Sequence, residues 1–126
     1  MTDPKKVRAR VREFALGLPG AYEDFPWGES VAKVNKKVFV FLGVEDSEKY
    51  PPGFGVKLRE SHAQALALDG AEPSGYGLGR AGWVSISLTG ALPPVEVLLD
   101  WVEESYRIVA PKRLVAELDE RHAGPG

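Results

Sequence analysis

The chain has no cysteine and a single methionine among its 126 residues. That excludes disulfides, thiolate nucleophiles and thiolate-held metals. It also suits a reducing compartment, so a cytoplasmic location is expected. Histidine is scarce too, with only His62 and His122. His62 has no second histidine or carboxylate at ligand spacing, and His122 stands next to the expected flexible tail, so no metal is expected. No apolar run approaches the roughly 20 residues that cross a bilayer, and no membrane contact is expected. The basic start, MTDPKKVRARVREF, lacks an apolar segment and a cleavage site, and reads as a helix. Excess positive charge is also missing. The net charge is −2, so any nucleic-acid contact must come from a local patch. No serine lies in a GxSxG elbow, and no paired base accompanies Glu23 and Asp24. An enzyme is not expected, nor a cofactor.

What is present is ordinary globular material, 44% hydrophobic and 27% charged. Asp3 is placed to cap a helix with Pro4 at its first position. Val7, Val11, Phe14 and Leu18 then form an apolar stripe, and Lys5, Lys6, Arg8, Arg10 and Arg12 cover the other faces. Pro19-Gly20 ends it. Residues 21–30 read as a loop. Residues 31–34 and 38–42 read as antiparallel strands around an Asn35-Lys36-Lys37 turn. A polar loop over 44–53 carries Glu45, Asp46 and Glu48, whose spacing matches no calcium loop. Residues 54–58 alternate as a strand, 60–68 suggest a short helix, and 69–82 a long glycine-rich loop with room for one irregular strand. Residues 83–88 alternate cleanly.

After Pro93-Pro94, the residues Val95, Leu98, Leu99, Val102, Tyr106 and Val109 mark the most regular helix. Pro111 breaks it, and 112–122 suggest a further helix. Helix, strands, helix, strand, helix is the order of an α+β domain, an antiparallel sheet with helices packed on one face. Residues 1–122 are expected to be that one domain, followed by a flexible tail over 123–126.

Five stretches stand in an order met before: EDFPWG, KVNKKVFVFL, VKL, GRAGWVSISL and SYRIVAPKRL. They span residues 14–114. In this they resemble the small MmcQ/YjbR-like proteins. The resemblance implies a compact α+β fold with a curved antiparallel sheet. It also implies DNA binding by a double-wing-like module, and no agreed enzymatic activity.

The cations that suit such a role are Lys33, Lys36 and Lys37 on the hairpin, Lys57 and Arg59 after the third strand, and Arg80 before the late one. Gathered on one rim they would neutralise phosphates and release counterions. Turn lysines also keep a loop soluble and blunt a sheet edge, and that reading stays open. Trp27, Tyr76 and Trp83 are the candidates to stack on bases or line a pocket. Trp83 shares a strand face with Ser85 and Ser87, a pattern of a half-open surface. That face also fits a protein-interaction or chaperone-like adaptor, or a small-molecule pocket between Trp27, Lys57 and Trp83. Gly77-Leu78-Gly79-Arg80-Ala81-Gly82 matches GxGxxG, but a strand follows where a dinucleotide site needs a helix.

Overall fold

The computed structural model describes residues 3–43, 52–75, 77–89 and 91–123. Helix α1 spans Pro4–Leu16 and opens as expected, with the Asp3 carboxylate accepting from the Lys5 amide at 3.0 Å. Strands β1 (Tyr22–Asp24), β2 (Ser30–Val34), β3 (Lys37–Gly43) and β4 (Gly53–Lys57) follow. Then come α2 (His62–Leu66), β5 (Ala71–Pro73) and β6 (Trp83–Ser87). Helices α3 (Val95–Val109) and α4 (Lys112–Ala123) end the chain. Among the described residues, no helix is long and apolar enough to cross a membrane.

The six strands make one antiparallel sheet in the order β1-β2-β3-β4-β6-β5. The fold is therefore α+β. Val40, Val56 and Val84 lie side by side across three strands and are fully buried under the helices. Phe39 joins them because the β2–β3 register slips between Ala32 and Lys33, a bulge that turns adjacent residues to one face. Helix α3 supplies Leu98, Leu99, Trp101, Val102 and Tyr106 to the same core, and α1 supplies Val7, Val11 and Ala15.

Several elements differ from the sequence expectation. The loop over 21–30 holds β1 and a 3-10 turn at Pro26–Gly28. The long loop holds β5, the irregular strand it had room for, and, not expected, a second 3-10 turn, Leu78–Ala81. Helix α2 is confined to His62–Leu66, and α4 runs through Ala123, past the expected domain end. The hairpin turn is Asn35-Lys36 alone, both with positive φ (51° and 67°), and Lys37 already pairs with Val34. This is the backbone that matches the twist of the flanking strands. Glu45, Asp46, Glu48, Tyr76 and residues 124–126 lie outside the described residues, as does the side chain of Trp27.

Candidate functional site

Strand register brings the dispersed cations to one end of the sheet. The β2–β3 turn places Lys36 and Lys37 there. Val40 pairs with Val56, so the Lys37 end of β3 lies beside the end of β4 that carries Lys57 and leads to Arg59. Lys57 in turn pairs with Trp83, and the Leu58 amide donates to the Gly82 carbonyl at 2.9 Å. The start of β6, and the 3-10 turn bearing Arg80 before it, therefore share that end. Lys36, Lys37, Arg59 and Arg80 are exposed and Lys57 is half-buried. None of the five appears in an ion pair among the described residues. Glu104 is close by, but its carboxylate is engaged by the Arg59 and Ser61 amides and the Ser61 hydroxyl.

Lys33 lies near the same end, opposite Val38, but differs from this group in being ion-paired. Its ammonium lies 2.7 Å from the Asp24 carboxylate. The contact raises the Lys33 pKa and lowers that of Asp24. Asp24 and Lys33 reach each other diagonally because Tyr22, not Asp24, is the direct partner of Lys33.

The backbone here depends on glycine at one point. Gly82 sits at φ 100°, and a Cβ there would come within 2.6 Å of the Leu58 carbonyl oxygen. That glycine lets the chain pass from Arg80 into β6 against the end of β4. The GxGxxG stretch thus serves a strand entry, and no helix follows it.

Trp83 is not an open platform. It is 7% exposed and meets Phe41 edge-on at 5.0 Å between ring centroids. Phe41 lies directly over Gly55, which has no side chain to hold the two rings apart. Ser85 and Ser87, on the same face, are half-buried. The expected pocket between Trp27, Lys57 and Trp83 is displaced: the cavity on this face, about 540 Å³, is lined by Phe41, Gly53, Gly55, Ser85 and Ser87, and by neither Lys57 nor Trp83. It lies toward the sheet end away from the lysines.

Two further groups escaped the sequence reading. Glu23 and Asp24 fall in the stretch expected to be a loop without partner bases, yet they lie on β1 and strand alternation sends them to opposite faces with separate partners. Arg12 grips Glu23 with two nitrogens, Nε at 2.9 Å and Nη2 at 2.5 Å, and the Ser30 hydroxyl donates at 2.6 Å. Arg8 read as part of a solvated helix face, yet it is buried at 5% exposure. The available signal was a row beside the apolar stripe, Arg8, Arg12 and Ala15 at helical spacing, whose last member is bare methyl.

The Arg12 guanidinium is the main reason the Glu23 pKa falls below its ordinary 4.5, against an opposing desolvation effect. A depressed folded pKa gives stability that is complete above the unfolded value and is lost as pH falls through the folded one. Urea midpoints should therefore drop as the pH is lowered beneath about 4.5. Glu23→Gln should flatten that acid limb. An identical limb in the variant would show that the ion pair carries no linked stability.

The YjbR family model matches residues 16–108 of the chain. Among solved structures, a crystal structure of a protein from Pseudomonas syringae is similar, with a TM-score of 0.61 at 19% identity, covering 81% of this chain and 97% of that one. Such identity speaks for the fold alone. No curated protein matches the sequence.

Proposed function

This chain belongs to the YjbR family, and on that footing we propose that it binds the backbone of DNA through the sheet end bearing Lys36, Lys37, Lys57, Arg59 and Arg80. One observation carries the reading: five cations from three separate segments of the chain share a sheet end, and none is spent on an ion pair among the described residues. Phosphates are the matching partner, since each neutralised phosphate releases counterions. The overall charge of −2 restricts the contact to this patch.

The conformation of Lys36 adds support. Its φ of 67° is a left-handed backbone that costs a side-chain-bearing residue roughly 1 kcal/mol, and glycine is the usual occupant. A lysine kept at the tip despite that cost is consistent with use of its charge.

The test is anisotropy of a labelled duplex across a salt series. Wild type should bind at low salt and weaken steeply as salt rises. Lys36→Glu with Lys37→Glu should weaken binding about tenfold or more and reduce the log–log salt slope by about 2. Lys36→Gly should bind more weakly while folding more stably by about 1 kcal/mol. Absence of salt-sensitive binding by wild type would end the proposal.

A small-molecule reading is favoured by one observation, the 540 Å³ cavity with its Ser85 and Ser87 hydroxyls. The adaptor reading is weakened by the burial of Trp83.

A further inference from the structure

The hairpin tip carries an amide as well as cations. Asn35 is the one asparagine in the chain, and it opens the β2–β3 turn directly before Lys36 and Lys37. Its φ of 51° is a left-handed backbone that asparagine tolerates better than most residues. That explains its place in the turn and leaves its side chain unused. Turn asparagines commonly spend the side chain on a nearby backbone group. Here, among the described residues, the Asn35 carboxamide has no hydrogen-bond partner, and the residue is exposed.

The turn also stands clear of the neighbouring strands. The β1–β2 ladder ends at the Tyr22–Lys33 pair, and the β3–β4 ladder ends on this side at Val40–Val56. Past those pairs the two strands of the hairpin pair only with each other, closing with Val34 against Lys37. The result is a narrow two-stranded ribbon tipped by Asn35, Lys36 and Lys37, all three exposed. The major groove of duplex DNA, about 12 Å wide, admits a two-stranded ribbon, whereas the minor groove, about 6 Å wide, does not. With the tip in the major groove, the lysines meet phosphates along its walls and the carboxamide meets base edges. Adenine is the base whose edge fits a carboxamide: Oδ1 accepts from the N6 amine, and the Nδ2 amine donates to N7.

We propose, building on the DNA contact argued above, that Asn35 reads adenine in the major groove and gives the protein a preference for A·T over G·C sites. The cations position the protein on the duplex, and the amide supplies the sequence information that phosphate contacts lack.

Three labelled duplexes of equal length are the probes: alternating A·T, alternating G·C, and the A·T duplex with 7-deazaadenine for every adenine. That replacement deletes N7 from the major-groove edge and leaves the minor-groove edge and the phosphates as they were. Wild type should bind the A·T duplex about fivefold or more tighter than the G·C duplex. The 7-deazaadenine duplex should bind about threefold or more weaker than its parent. Asn35→Gly accepts the positive φ, so the turn persists. This variant should bind all three duplexes alike and keep the wild-type salt slope, which counts phosphate contacts. Lys36→Glu with Lys37→Glu should instead weaken all three. Salt-sensitive wild-type binding that is equal on the parent and 7-deazaadenine duplexes overturns the adenine contact and leaves the phosphate contact standing. Discrimination that survives in Asn35→Gly does the same. Absence of binding to any duplex removes both.

Discussion

Tyr106→Ala is expected to lower the unfolding free energy by about 3–5 kcal/mol. The side chain has no exposed surface, and its ring meets Phe39 edge-on at 5.4 Å and 79°. Its hydroxyl donates to the Pro19 carbonyl at 2.6 Å, joining α3 to the turn that ends α1. Truncation opens a cavity beneath the β3 bulge and strips that carbonyl of its donor. Burial holds the phenol above its ordinary pKa, so it stays a neutral donor across the range where the protein is handled. Tyr106→Phe keeps the ring and loses only the bond, for about 1–2 kcal/mol. Urea denaturation of both variants separates ring from hydroxyl. With total stability of about 5–15 kcal/mol, the alanine variant removes a large share of what holds the fold. A loss in Tyr106→Ala no larger than that in Tyr106→Phe would mean the ring's packing contributes nothing.

Ser105→Ala comes next, with an expected loss of about 2–4 kcal/mol. The direct β3–β4 pairs are Val40–Val56 and Phe41–Gly55. Beyond them the strands part, and the Ser105 hydroxyl spans the gap from α3. It accepts from the Lys57 amide at 2.9 Å and donates to the Phe39 carbonyl at 2.5 Å. Alanine leaves both backbone groups without this partner, the Phe39 carbonyl at a fully buried residue and the Lys57 amide at a part-buried one. The same hydroxyl fixes the backbone that carries Lys57. Faster hydrogen exchange of the Lys57 amide should accompany the stability loss, and DNA affinity should fall with it. Unchanged exchange at Lys57 in a destabilised variant would assign the loss to packing instead.

The α+β class, the β2–β3 hairpin and the α3 stripe were legible because each follows one strong local rule. In α3 the residues Leu98, Leu99, Val102 and Tyr106 repeat at helical spacing, and all are buried. Strand β1 was not legible as a strand, and β5 only as room for one irregular strand in the long loop, because three residues cannot display a period. They exist through pairing, Glu23 against Ala32 and Glu72 against Ser85. The candidate cations could be named from the sequence, but their common end depends on the order β3-β4-β6, which no local pattern encodes. Trp83 was assigned to the right face and the wrong environment. Alternation gives the face, whereas its burial depends on Phe41 leaning over Gly55 from another strand. Arg8 was misread because a charged residue beside an apolar stripe usually reaches water. Here two carbonyls of β3 draw it inward.

The outer strands bear on how this molecule behaves in company. Each margin of the sheet is only three residues long, and Pro73 offers no N–H on its side. A stray segment trying to lengthen the sheet would find almost no template to copy. Crowded solutions should therefore seed few fibrils from this fold, and a visitor must approach by charge or by cavity instead of by stitching itself alongside.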